Sequence, residues 1–218
     1  KNLTTMNFHI EQQESYSRGE LLLRNFLGFL YIMIPHLLVS LCYGLVLMVI
    51  GVIRFFSILI TGKFPRNAHN AMVQIGRYNL RLTARIFNLR DGYPPFTLET
   101  EDEGIIFDMP YVENVNRGRL LIRTLFGGLL LIPHIFIVGL RIYGVMFANI
   151  YAFFMVLFTK KFPDGVFKFS VETFRWNYRM NNYMVYYTDD YPPFHGRVLP
   201  HENQNIDGDS TADHLVEV

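Results

Sequence analysis

Two stretches of this chain, residues 26–60 and 124–158, run for 35 residues each with one formal charge apiece, Arg54 in the first and Arg141 in the second. A soluble core helix is shorter and carries polar residues on its outer face, whereas about 20 consecutive apolar residues suffice to cross a bilayer. The chain is therefore expected to be an integral membrane protein. Charged residues make up 18% of its 218 residues, against roughly 25% in soluble domains. A net charge of +1 argues against nucleic acid as a partner, which requires a basic surface. The single cysteine, Cys42, lies within the first apolar run. It can form neither an internal disulfide nor a cysteine metal framework, and reads as a small hydrophobe. That first run is too long for the apolar region of a signal peptide, so it is expected to remain as a membrane anchor.

The second constraint is internal repetition. Ile34-Pro35-His36 recurs as Ile132-Pro133-His134, Thr61–Pro65 as Thr159–Pro163, and Tyr93-Pro94-Pro95-Phe96 as Tyr191-Pro192-Pro193-Phe194, all at an offset of 98. Arg77, Asn79 and Arg81 map onto Arg175, Asn177 and Arg179 at that offset. Upstream the offset is 99: Phe8 pairs with Phe107, Arg18-Gly19 with Arg117-Gly118, and Arg24 with Arg123. One residue is thus gained or lost between the blocks. The organisation is a first membrane repeat over 6–96, an acidic linker over 97–104, a second membrane repeat over 105–194, and an acidic tail over 195–218 expected to be disordered. Each repeat opens with a short polar/apolar alternation, Met6–Ile10 in the first copy, that fits a short strand.

Thirty-five apolar residues are too many for one upright crossing and slightly few for two. With 21–24 and 119–123 added, two short spans fit each repeat, turning near Cys42-Tyr43-Gly44 and Gly139–Gly144. Arg141 would then reach headgroups at the tip, and Arg54 would snorkel to the interface. The alternative is one long tilted helix per repeat. Segments 61–90 and 160–181 are both rich in Lys and Arg. A transmembrane or re-entrant hairpin puts both on the cytoplasmic side, as the positive-inside rule demands, and is preferred.

After each apolar run comes an amphipathic arm. Ala68, Met72, Ile75, Leu82, Ile86 and Leu89 recur at helical spacing, with Arg77, Arg81 and Arg85 on another face. In the second repeat Phe167, Val171, Phe174 and Tyr178 make the apolar stripe, and Lys168, Arg175 and Arg179 run along the polar side. An apolar stripe of this kind also suits packing on the protein itself, with the basic stripe solvated. The functional reading is an interfacial helix whose six basic residues, Arg77, Arg81, Arg85, Lys168, Arg175 and Arg179, bind anionic phospholipid headgroups. The fold class expected is thus an all-α membrane protein of two tandem repeats, each a helical hairpin followed by an interfacial amphipathic helix.

A basic lead-in, Ile-Pro-His, an apolar run, Thr-Gly-Lys-Phe-Pro, an arm with an Arg77-Tyr78 or Arg175-Trp176 step, and Tyr-Pro-Pro-Phe follow one another in each repeat. This order resembles the bacterial membrane family called domain of unknown function 4389. The likeness spans both repeats, departing at Lys160, where the first copy has Gly62. It implies a bacterial inner-membrane location and this topology, and carries over no catalytic residues.

His36 and His134 are equivalent. If both faced the bundle centre they could ligate a b-type haem or relay protons; the plainer role is a local bond near a helix-kinking proline. No Gly-rich phosphate loop, nucleophile elbow, HExxH or carboxylate pair is present in the sequence, so no enzyme, cofactor or metal is expected. The leading expectation is a non-enzymatic, multi-pass protein of the bacterial inner membrane, its arms and tail cytoplasmic, serving as a structural or accessory subunit of a larger membrane complex. The alternatives are a lipid- or solute-handling protein with a site between the repeats, and a haem-binding electron carrier using His36 and His134.

Overall fold

A computed structural model describes residues 6–99, 102, 104–188, 190–200 and 202. Glu101 and Glu103 of the acidic linker and residues 203–218 of the tail lie outside the described residues. The elements are β1 (Asn7–Ile10), α1 (Arg18–Gly28), a π-turn (Phe29–Met33), α2 (Ile34–Thr61), α3 (Arg66–Ile86), β2 (Ile105–Asp108), α4 (Arg117–Thr159) and α5 (Asp164–Met184).

The expected hairpins do not form. Arg18–Thr61 is one continuous helix of 44 residues, and Arg117–Thr159 one of 43. The glycines at 44, 139 and 144 bend nothing on their own, and no proline or polar turn cluster accompanies them. An open turn there would strand backbone donors and acceptors among apolar side chains, so the helical ladder runs on. Both helices have defined ends. Ser17 Oγ accepts from the Glu20 N–H, and Asn116 Oδ1 accepts from the Arg119 N–H, a standard N-cap role. At the far ends Gly62 (φ 76°) and Lys160 (φ 61°) adopt the left-handed conformation that stops a helix. At 1.5 Å per residue each helix is roughly 66 Å long, about twice a bilayer's hydrocarbon core.

The change of offset from 99 to 98 has a structural cause. The π-turn at Phe29–Met33 is closed by an i→i+5 bond, from the Ile34 N–H to the Phe29 carbonyl, and so holds one residue more than an α-turn. It absorbs the extra residue of the first repeat immediately before Pro35. The carbonyl of Tyr31, which Pro35 cannot bond, accepts from the Tyr93 hydroxyl instead (3.1 Å). In the second repeat Pro133 lies inside an unbulged helix, and the Tyr191 hydroxyl donates to the Leu130 carbonyl (2.7 Å).

Each arm folds back along its own long helix, and the Tyr-Pro-Pro-Phe segment then returns to that helix. Arg24 holds the return of the first repeat through the Arg90 carbonyl (2.9 Å) and Asp91 (2.7 Å). Arg123 holds the second through the Tyr183 and Thr188 carbonyls. The strands are exchanged. β1 pairs antiparallel with β2, Phe8 opposite Phe107. Arg77 of α3 donates to the Phe107 carbonyl of the other repeat (2.8 Å), and Arg175 of α5 donates to the Phe8 carbonyl (3.3 Å). The Tyr16 N–H donates to the Lys160 carbonyl and the Val115 N–H to the Gly62 carbonyl, another exchanged pair. The contiguous repeats legible in the sequence are therefore interlocked, each leading strand docked on the other's arm. The main core lies at this junction and includes Phe8, Phe64, Val73, Leu80, Phe107, Phe162 and Phe174. Arg18 reaches the Phe158 carbonyl, and Arg117 lies against Gly62. The start of each long helix thus sits beside the end of the other, and the two run antiparallel.

Candidate functional site

The surface is divided between elements. The long helices bury a narrow stripe, Leu21, Arg24, Gly28, Ile32, His36, Arg54 and Ile58 in the first. Every exposed residue between Phe26 and Ile60 is apolar, Cys42 included. The equivalent residues Phe26 and Leu125 are each 74% exposed. The arms do the reverse. Apart from Ile86, the exposed positions of α3 are Arg66, Asn67, Asn70, Arg77 and Asn79; those of α5 are Asp164, Gly165, Lys168 and Asn181. Leaving a large apolar side chain in water forfeits about 1.5–3 kcal/mol, so a surface with this many requires a non-aqueous neighbour.

The six basic residues expected to hold lipid headgroups are mostly used inside the protein. Arg81 is buried, with Nη2 on the Thr97 carbonyl; its equivalent Arg179 bonds the His195 and Arg197 carbonyls and both oxygens of buried Glu202. Arg85 pairs with Asp102 at 2.5 Å. Burial pushes its pKa down, with Asp102 acting in the opposite direction. Arg175 bonds the Gly196 and Phe8 carbonyls. Arg77, half exposed, ties down β2 through Phe107 and Asp108. Lys168 alone of the six points freely outward. A guanidinium with five donors serves well as such a clamp. The stripe fixes loops and strands, and it also folds the first described residues of the tail, 195–200 and 202, onto α5, where disorder was expected.

The two histidines do not meet. His36 stacks on Phe96 of its own repeat (4.4 Å between centroids) and its Nδ1 is 2.8 Å from the Tyr78 hydroxyl. His134 stacks on Phe194 (3.9 Å), and its Nδ1 accepts from the Trp176 indole N–H (2.9 Å). An indole only donates, so the neutral His134 ring carries its proton on Nε2. That leaves no lone pair there for an axial ligand, and Phe194 covers the ring face. The pair does not fit a shared haem. Each imidazole instead buttresses its Tyr-Pro-Pro-Phe segment. The recurrence of His, Arg-Tyr/Trp and Tyr-Pro-Pro-Phe at one offset was the sequence signal for this contact.

The lone arginines of the apolar runs differ from expectation. Arg54 does not snorkel: it is 7% exposed, under Met72, Phe64 and Tyr186. Arg141 turns inward to Thr173, Glu172 and the Phe169 ring. Arg54 also lines a crevice of about 480 Å³ between α3 of the first repeat and α5 of the second. Among the described residues, no group of three or more His, Cys, Asp or Glu is placed to hold a metal ion.

These features define a mostly helical protein built from two interlocked copies of one unit, with two apolar helices bared to the outside. The family described as Domain of unknown function (DUF4389) matches residues 23–97 and 121–195, more than half of the chain, and the protein belongs to it with two tandem copies. No curated protein and no solved structure matches the chain.

Proposed function

We propose that this is a non-enzymatic structural protein of a bacterial inner membrane, an accessory subunit of a larger membrane complex, whose long helices lie within the cytoplasmic leaflet rather than across the bilayer. The division of the surface carries this reading: apolar residues are bared along both long helices, while the arms packed against them show polar residues. Two helices are long and apolar enough to cross a membrane. A crossing, however, would carry exposed mid-arm residues such as Arg77 and Asn79 into hydrocarbon, where a charge costs several kcal/mol. Lying in the leaflet, the helices meet acyl chains and the arms meet water. The basic segments of both repeats then share one side, as the positive-inside rule asks. The structural role is supported by where the charges go: Arg24, Arg85, Arg123 and Arg179 are spent holding loops to helices.

Native membranes washed at alkaline pH and then extracted in mild detergent test this. The chain is expected to stay with the bilayer through the wash and to migrate on a native gel within a larger defined complex. Release by the wash would contradict embedding, and migration as a lone particle would contradict the subunit role.

A further inference from the structure

Arg54 stands apart from the other buried arginines. Arg24, Arg85 and Arg179 pair with Asp91, Asp102 and Glu202, and Arg81, Arg123 and Arg175 bond backbone carbonyls. For Arg54 no carboxylate among the described residues is in pairing distance. Its Nη1 meets the Met72 thioether at 3.3 Å, its guanidinium lies 5.9 and 5.1 Å from the rings of Phe64 and Tyr186, and its Nε is buried without a hydrogen-bond partner. Thioether sulfur and ring faces are weak acceptors, and a buried cation without an anion is among the costlier things a protein can hold.

The surroundings say what kind of anion would fit. The crevice that Arg54 lines is also lined by Asn79 and Asn177, equivalent positions on the two arms, together with Asn181 and Thr83. Leu82 and Ile86 line it as well, and the same two residues wall a second groove of about 210 Å³ with Phe29, Met33 and Leu37 on the long helix. From Met72, beside Arg54, to Ile86 is 14 residues of α3, about 21 Å. The two cavities adjoin along Leu82 and Ile86, so a buried cation with amide-bearing residues lies next to an apolar trough. That is the complement of an amphipathic anion.

We propose that these adjoining cavities bind one anionic lipid per chain, its phosphate or carboxylate on Arg54 and an acyl chain in the Leu82–Ile86 trough. The proposal rests on the membrane reading above. The second repeat has Ala152 where the first has Arg54, so the duplication yields one site rather than two.

The test uses the full chain reconstituted into phosphatidylcholine nanodiscs containing a minor share of phosphatidylglycerol, followed by mass spectrometry of the lipid released with the protein. One phosphatidylglycerol is expected per chain. Arg54→Gln should weaken its retention about tenfold or more, the scale of a lost charge-assisted hydrogen bond, while Arg54→Lys should keep most of it. Ile86→Trp, which fills the trough and leaves the cation intact, should also weaken retention and decides the matter if Arg54→Gln fails to fold. Equal retention by Arg54→Gln and the parent would overturn the proposal. Competition by inorganic phosphate as effective as by phosphatidylglycerol would overturn the lipid assignment and leave a free-anion site. A chain that survives the alkaline wash yet retains no anionic lipid would sink this site alone, whereas release in that wash would sink the membrane reading beneath it.

Discussion

Arg179 and Glu202 show how a charge that reads as solvated becomes structural. Their side chains are 6% and 3% exposed, and two carbonyls complete the guanidinium's shell. Removing one partner of a buried pair strands the other, at about 3–5 kcal/mol. Glu202→Ala is therefore expected to lower unfolding stability by that amount in a denaturant titration in detergent; a loss below about 1 kcal/mol would mean the pair is not formed. Glu113→Ala, which breaks the exposed Lys63–Glu113 pair, should change little. The sequence offered the arginine stripe but not its targets, because the backbone carbonyls of Thr97, His195, Gly196 and Arg197 leave no mark in residue type. His69 gives a pH dependence. It is buried among the rings of Phe64, Tyr111 and Tyr187. Burial lowers its pKa, with a bond to the Met109 carbonyl acting the other way. A depressed folded pKa means the unfolded chain binds the proton first. The contribution of His69 is thus fully present above about pH 6.5 and is lost as pH falls toward the folded value. The unfolding midpoint should drop on acidification below about 6.5, and His69→Phe should flatten that drop; an unchanged slope in the variant would contradict the assignment.

At the level of elements, the arms and their stopping points were legible, since a 3.6-residue apolar period and a Pro-Pro pair are local signals. The short strand at the head of the first repeat was legible too. The single long helices were not, because chain length and charge balance fit two models of each apolar run and only the uninterrupted hydrogen-bond ladder separates them. Strand exchange was equally hidden. Sequence order says that Phe107 opens the second repeat, and says nothing of its seat against α3 of the first. That seat depends on Gly76, where an added Cβ would fall 2.4 Å from the Phe107 ring. Gly76→Ala should therefore destabilise the protein by about 1–3 kcal/mol, as overpacking does. Combined with Phe107→Leu it should cost less than the sum of the two single changes. Strict additivity would show that the strand is not held there.

For the whole molecule, duplication with exchange of strands makes one body from two units, and the π-turn keeps their registers aligned despite one extra residue. What the body does with its surface follows from exposure rather than from length. Helices of roughly 66 Å with polar arms along them suit a leaflet better than a crossing. Asn70 and Lys168 are exposed on α3 and α5 and are equivalent at the offset of 98, so they report the two repeats separately. With Cys42 replaced by Ser, single cysteines at these two positions can be probed in sealed membrane vesicles of known orientation with a maleimide that does not cross the bilayer. Labelling of both from the cytoplasmic side is the result predicted for helices lying in one leaflet. Labelling of the two from opposite sides would mean that each repeat crosses the membrane once, and would contradict the account.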